Sequence, residues 1–149
     1  MKILLALDTC ATADQTVATV QRLFAPDMAS VVALSVVGSN ELDVAPSPVL
    51  LASVAQNIAV LEADHVRTHE ECVARAVRTL RAAGYHTSGD VRHGEPRDVI
   101  PVAAREHQAD LVVVGVHRRT SIRRLISRSL ASHVTEHAHC DVLVVRHDG

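Results

Sequence analysis

The stretch Asp-Leu-Val-Val-Val-Gly occupies residues 110–115, and residues 116–129 continue it as Val-His-Arg-Arg-Thr-Ser-Ile-Arg-Arg-Leu-Ile-Ser-Arg-Ser. A second apolar run, Asp-Val-Leu-Val-Val-Arg, follows at residues 141–146. Unbroken runs of valine and leucine, without alternating polar residues, are typical of strands that are covered on both faces. The two runs therefore predict buried strands of a parallel sheet, joined by a basic segment that contains a helix.

The rest of the chain alternates between strand and helix patterns. Three further strands are predicted at Lys2 to Leu7, Ser30 to Val37 and Thr87 to His93. Apolar residues three and four apart predict helices over residues 12–24, 49–83, 97–107 and 121–138, the last either continuous or interrupted at Ser129. Thr12 and Gln15 predict a capping box at the first helix, and Gly84 predicts the end of the second. This order predicts one α/β domain over residues 1–149, a doubly wound parallel sheet with helices on both faces.

Length and composition restrict the class of protein. The 149 residues contain one Phe and one Tyr, so the core must be built from Val, Leu, Ile and Ala. A domain of this size should bury about 68 to 70% of the surface of its unfolded chain, and it needs no disulfide or metal for stability. No run approaches the length of a membrane span, and the apolar residues from Ile3 to Leu7 are too few for a signal peptide.

Charge and cysteine content exclude further classes. The formal net charge of −2 and the lack of aromatic residues among the arginines argue against nucleic acid as a partner. Cys10, Cys72 and Cys140 are odd in number and widely spaced, which predicts neither a disulfide framework nor a zinc knuckle. We therefore expect a cytoplasmic protein with no structural metal.

Two predicted strand ends are candidates for a binding site, because ligands of doubly wound sheets bind beyond the carboxyl ends of the strands. Asp8 follows the first strand, where its carboxylate could contact a ribose or a cation, or cap the next helix. Gly115 closes the predicted fourth strand, and a helix that begins after such a turn presents backbone N–H groups to phosphates.

The segment after Gly115 is rich in basic residues, whose guanidinium groups suit phosphate or carboxylate. They are His117, Arg118, Arg119, Arg123, Arg124 and Arg128. The same pattern is also typical of a solvated face on an amphipathic helix, so the residues alone leave both interpretations open.

The chain resembles the universal stress protein family in several places. The resemblance rests on the opening Ile3-Leu4-Leu5-Ala6-Leu7-Asp8, on Gly94-Glu95-Pro96, and on the segment from Asp110 to Arg146. That last segment has a strand ending in Gly-x-His, then Arg-Thr, a helix and a Cys-x-Val-Leu-Val-Val strand. The resemblance implies strand order 3-2-1-4-5 and a homodimer formed by pairing of the fifth strands, through Val142, Leu143, Val144 and Val145.

The resemblance also implies a nucleotide site. Members of the family that bind ATP carry three glycines and then Ser or Thr at positions that read Gly115, Arg118, Arg128 and Ser129 in this chain. In those members the acid that matches Asp8 contacts the ribose, and backbone near Val36 contacts the adenine. Arg118 and Arg128 replace glycines at which backbone must approach phosphate closely.

Two functions follow from this departure. The chain could be a dimeric stress-response module that acts through partner proteins and does not bind ATP in the usual manner. Alternatively, it could be a sensor of a nucleotide, ATP or AMP, or of another anion, in which Arg118 and Arg128 bind the phosphates.

A remote third function is a metal-dependent hydrolase, because His133, Glu136 and His137 fit the His-x-x-Glu-His pattern. The small domain and the scarcity of acidic residues downstream argue against it. No nucleophile elbow or complete P-loop is present. We therefore expect no enzymatic activity, no catalytic residues and no metal ligands.

Overall fold

The computed structural model describes residues 1–7, 10–38, 48–117 and 130–147. The strands are β1 (Lys2–Leu7), β2 (Ser30–Val37), β3 (His86–His93), β4 (Leu111–His117) and β5 (Asp141–His147). The helices are α1 (Cys10–Leu23), α2 (Pro48–Ala82) and α3 (Pro96–Glu106), and residues 130–137 are also helical. Every predicted strand is thus confirmed, with bounds that differ by two residues at most.

The five strands form one sheet in the order β3-β2-β1-β4-β5, and every neighbouring pair is parallel. This confirms both the doubly wound architecture and the strand order that the family resemblance implied. β1 lies in the middle, where Ile3 pairs with Val31 of β2 and with Leu111 of β4. All carboxyl ends of the strands therefore meet at one edge of the sheet, which we name the carboxyl edge.

Helices cover both faces of the sheet, as predicted, because successive β1 side chains point to opposite faces. Ile3, Leu5 and Leu7 pack against α1 and α2, whereas Leu4 and Ala6 pack against α3 and the helical segment 130–137. Tyr85 is buried in the first of these cores and Phe24 packs against it, and the rest of both cores is mainly branched aliphatic residues and alanine. The two cores together hold the sheet between two helical layers.

Two details differ from the sequence predictions. β4 does not end at Gly115, because its pairing with β5 continues for two more residues, through Val116 with Arg146 and His117 with His147. α1 begins at Cys10, so Thr12 lies inside its first turn and does not start the helix. The carbonyl of Thr12 instead accepts a hydrogen bond of 2.9 Å from the hydroxyl of Thr16.

The end of α2 is formed by Gly84, as predicted. Its φ of +91° lies in the left-handed region, where a side chain is disfavoured. The N–H of Tyr85 donates to the carbonyl of Leu80, and the N–H of Gly84 donates to that of Arg81, both at 3.0 Å. This is the Schellman arrangement, and it turns the chain from α2 directly into β3.

Gly89 of β3 permits the close approach of α2 to the edge of the sheet. A Cβ atom at this position would lie 2.4 Å from Cγ1 of Val73, a side chain that is itself buried at 5% exposure. Since Val73 is held in the core, the methyl group could be accommodated only by a shift of the helix or strand.

We therefore expect Gly89→Ala to lower the free energy of unfolding, because overpacking of this kind costs about 1 to 3 kcal/mol. Gly38→Ala is the matched control, since a Cβ there would meet nothing within 4 Å. The control reports the effect of alanine on the unfolded chain alone. Equal stability of the two variants in chemical denaturation would show that Gly89 is not needed for packing.

Candidate functional site

The carboxyl edge contains the point at which the chain reverses its direction of winding. From β1 the chain builds outward through β2 and β3, and it then returns to add β4 on the other side of β1. In open parallel sheets, a crevice forms at such a point because the connections leave β1 and β4 in opposite directions. The crevice between the ends of β1 and β4 is therefore the candidate ligand site.

The structure brings three of the predicted site residues to this edge. Val36 is partly buried near the end of β2, Gly115 lies in β4 opposite Val145, and His117 is the last residue of β4. The remaining four predicted residues, Asp8, Arg118, Arg128 and Ser129, lie outside the described residues.

Ser35 is a polar residue that the sequence predictions missed at the same edge. It interrupts the apolar run of β2, yet its side chain is fully buried, at 0% exposure. Its hydroxyl donates to the carbonyl of Leu7, the last residue of β1, at 3.3 Å, and lies 2.7 Å from Nδ1 of His69. A buried hydroxyl with two partners joins the end of β1 to helix α2.

The contacts continue along α2. Nε2 of His69 lies 3.3 Å from Nε2 of His65, and the ring centroids are 4.8 Å apart with planes at 69°. Both rings are partly buried. The available sequence signal was a pair of histidines four residues apart within a predicted helix, which places both on one helical face.

A second cluster of charged residues lies on the outer strand β3. Oδ2 of Asp90 accepts hydrogen bonds from Nε of Arg92 at 2.8 Å and from Nε2 of His107 at 2.7 Å, and Nη1 of Arg92 donates to Glu106 at 2.6 Å. Burial by itself would raise the pKa of Asp90. The hydrogen bonds from His107 and Arg92, together with the charges of these two residues, outweigh the effect of burial, so the pKa of Asp90 is lowered. Because the polar groups satisfy one another, the cluster is an ion-pair network that fastens α3 to β3.

The Asp90 network should make folding stability depend on pH. The pKa of Asp90 is lower in the folded chain than the unfolded value of about 3.9, so its carboxylate stabilises the fold above that value. This stabilisation is lost as the pH falls through the folded pKa. We expect Asp90→Asn to lower the free energy of unfolding by about 1 to 2 kcal/mol at neutral pH.

The difference between Asp90→Asn and the unsubstituted chain should shrink in acid, when Asp90 is protonated. Asp27→Asn is the control, because Asp27 is exposed in the turn after α1. Denaturant titrations at several pH values measure both. A difference for Asp90→Asn that stays constant from neutral pH to strong acid would contradict the assignment.

The opposite, amino edge of the sheet has an open cavity of about 600 Å³, lined in part by Asp110, His139, Cys140 and Asp141. Burial raises the pKa of the Cys140 thiol, and the charges of Asp141 and Asp110 raise it further. The thiol is therefore kept in its protonated form, which is neither a nucleophile nor a metal ligand. The carboxylate of Asp110 is also engaged, since it accepts a hydrogen bond of 2.6 Å from the N–H of Lys2.

The histidines of the His-x-x-Glu-His pattern stack face to face. Their centroids lie 3.9 Å apart with planes at 14°, and Nδ1–H of His137 donates to the carbonyl of His133 at 2.8 Å. Among residues 1–7, 10–38, 48–117 and 130–147, no group of three or more His, Cys, Asp or Glu side chains could hold a metal ion. Within the same ranges, no helix is long and apolar enough to span a membrane.

The fold defines a class: doubly wound α/β domains with a five-stranded parallel sheet. The particular family follows from comparison with known proteins. The model of the universal stress protein family matches residues 1–146, and the chain therefore belongs to that family.

Individual relatives agree with this assignment. A universal stress protein of Synechocystis is 25% identical, over 98% of this chain and 97% of its own length. UspA of Lactobacillus plantarum has a solved structure that superposes with a TM-score of 0.71 at 26% identity, covering 98% of this chain and 97% of the other. Other curated relatives are longer, and the chain spans 45% of the Methanocaldococcus jannaschii protein and 19% of the Photorhabdus universal stress protein E that it matches.

Solved structures with bound nucleotides share the fold. One is an Arabidopsis thaliana family member with AMP, at 15% identity and a TM-score of 0.67, covering 100% of this chain and 93% of that one. Another is an Archaeoglobus fulgidus universal stress protein with dAMP, at 19% identity and a TM-score of 0.60, covering 97% of each chain. A third universal stress protein is in complex with cAMP, at 21% identity and a TM-score of 0.62, covering 97% of this chain and 95% of that one.

Proposed function

We propose that this universal stress protein is a homodimeric sensor of a nucleoside monophosphate, which it binds at the carboxyl edge between β1 and β4. The observation that carries the proposal is the reversal of winding between β1 and β4, with Val36 near the end of β2 and Gly115 and His117 toward the end of β4. Family structures with AMP, dAMP and cAMP support the class of ligand. Each of these ligands has an adenine base and a single phosphate.

Arg118 and Arg128 favour a monophosphate over ATP. They stand where ATP-binding members of the family have glycines, and a side chain there occupies the space in which backbone approaches the phosphate chain. A guanidinium fork can instead bind a single terminal phosphate through two charge-assisted hydrogen bonds. In the proposed site, arginine side chains thus bind the phosphate in place of closely approaching backbone N–H groups. The same side chains leave no room for a second and third phosphate.

The base and ribose would use the other predicted residues. Backbone near Val36, at the end of β2, would contact the adenine, and Asp8 would accept a hydrogen bond from a ribose hydroxyl. The N–H groups that follow Gly115 and His117, and the hydroxyl of Ser129, would complete the phosphate site. None of these roles requires a covalent step, so we propose a binding protein, not an enzyme.

We expect calorimetric titration to show that AMP binds at least tenfold more tightly than ATP, which is about 1.4 kcal/mol of binding free energy. The double variant Arg118→Ala, Arg128→Ala should lose most of the affinity for AMP, because charged hydrogen bonds are worth about 1.5 to 3 kcal/mol each. Adenosine, which lacks the phosphate, should bind the variant and the unsubstituted chain equally.

The matched control is the double variant Arg22→Ala, Arg78→Ala. Both arginines are exposed, and they lie toward the carboxyl ends of α1 and α2, near the amino edge of the sheet. The control should bind AMP with unchanged affinity. Tighter binding of ATP than of AMP, or full AMP affinity without Arg118 and Arg128, would contradict the proposed phosphate contacts.

The homodimer is proposed to form through β5, the outer strand next to β4. Among the described residues β5 pairs on one side only, which leaves backbone N–H and C=O groups along its other side. Val144 is 38% exposed, and Val142 and Leu143 are only partly buried. Pairing with β5 of a second copy would bury these apolar side chains around a twofold axis.

We expect Val144→Glu to weaken the dimer, because the twofold axis would bring two carboxylates close together in an apolar interface. Val102→Glu is the control, since Val102 of α3 is 52% exposed and lies away from β5. Size-exclusion chromatography with light scattering measures the mass of each. A monomeric unsubstituted chain, or an equal effect of both variants, would contradict the proposed interface.

We propose that the protein acts in the cytoplasm, where a partner protein would distinguish its nucleotide-bound form from its nucleotide-free form. The reduced state of the cysteines described in the structure, the buried Cys72 and the partly buried Cys140, is compatible with that compartment.

A further inference from the structure

The histidine pair on α2 has a feature that nucleotide binding does not use. The Nε2 atoms of His65 and His69 lie 3.3 Å apart. On the other side of the His69 ring, Nδ1 lies 2.7 Å from Oγ of the buried Ser35. The three residues form a line from the end of β1 to the surface of α2. Each has a definite hydrogen-bonding role.

The two contacts of the Ser35 hydroxyl indicate a tautomer for His69. The carbonyl of Leu7 can only accept, so the single proton of the Ser35 hydroxyl is donated to that carbonyl. Oγ of Ser35 therefore accepts the hydrogen bond from Nδ1–H of His69 at 2.7 Å. A neutral imidazole with its proton on Nδ1 has a lone pair on Nε2, and this lone pair is directed at His65.

The distance between the two Nε2 atoms matches the edge of a metal coordination shell. Zinc binds imidazole nitrogen at about 2.0 to 2.1 Å, and tetrahedral geometry then places two ligand nitrogens about 3.3 to 3.4 Å apart. The observed separation is 3.3 Å. A histidine ligand that donates its other N–H to an oxygen is the usual outer-shell arrangement of protein metal sites, because it fixes ring orientation and makes the ligand more basic.

The second histidine pair of the chain provides a contrast. His133 and His137 have the same spacing on a helix, but their rings are stacked with planes at 14°, and Nδ1–H of His137 donates to the backbone of its own helix. The rings of His65 and His69 instead have planes at 69° and bring their Nε2 atoms within 3.3 Å of each other. Equal spacing in sequence thus gives two different geometries.

We propose that His65 and His69 form a binding site for a divalent transition metal such as Zn²⁺, with Ser35 as the residue that positions His69. On binding, His65 moves its proton from Nε2 to Nδ1, and both Nε2 atoms coordinate the ion. Water completes the shell, so the site is open and exchanges its ion readily. Both ligands lie on α2 and neither is a proposed nucleotide contact, although the positioning residue Ser35 adjoins Val36.

The test is calorimetric titration of the chelator-treated, full-length chain with ZnCl₂ in the absence of nucleotide. We expect one zinc ion per chain, with affinity reduced at least tenfold in His65→Ala and in His69→Ala. Ser35→Ala should weaken binding by about 10- to 100-fold while it leaves both ligands in place. The double variant His133→Ala, His137→Ala is the control and should bind zinc like the unsubstituted chain.

A crystal soaked in ZnCl₂ gives a second readout, which stays informative if Ser35→Ala fails to fold. Anomalous difference density should appear between the two Nε2 atoms. No zinc binding by the unsubstituted chain, density elsewhere only, or loss of binding in the His133 and His137 double variant alone would overturn the proposal. Full zinc affinity in a folded Ser35→Ala chain would overturn the role of Ser35.

Discussion

Pairing of β1 with both β2 and β4 is the constraint on which the rest of the structure depends. β1 has neighbours on both sides, and Ile3, Leu4 and Leu5 are fully buried at 0% exposure. A central strand must satisfy its backbone hydrogen bonds within the sheet and cover both faces with helices. Because both pairings are parallel, the carboxyl ends of all three strands meet at one edge, and the chain must reverse its winding there.

Much of this fold could be predicted from the sequence, since it depends on local signals. The bounds of β1 and β2 were predicted correctly from their apolar runs. Buried parallel strands have no alternating polar residues, so the first and last residues of such a run are easy to recognise. Gly84 could be recognised as the end of α2 because few other residues adopt its φ. β4 was predicted too short because Gly115 was read as a terminator, whereas pairing with β5 carries the strand past it.

The missed features depend on contacts between elements that are distant in sequence. Ser35 and His69 are 34 residues apart, and no local pattern shows that a serine of β2 meets a histidine of α2. The same holds for Gly89, whose role is defined by Val73 on the neighbouring helix. The nucleotide residues were predicted from the family resemblance alone, because that resemblance records spacing in the sequence and not contact. Of these residues, Val36, Gly115 and His117 lie at the carboxyl edge as expected.

Different parts of the sheet have different chemistry. The ion pairs of Asp90 and Arg92 hold α3 against the outer strand β3, β5 pairs on one side only among the described residues, and the carboxyl edge contains the reversal of winding. The central claim is that this edge binds a nucleoside monophosphate. Crystals soaked with AMP test it most directly. We expect difference density for the adenine beside Val36 and for the phosphate beyond Gly115. Density in the cavity at the amino edge instead, or none at saturating AMP, would contradict it.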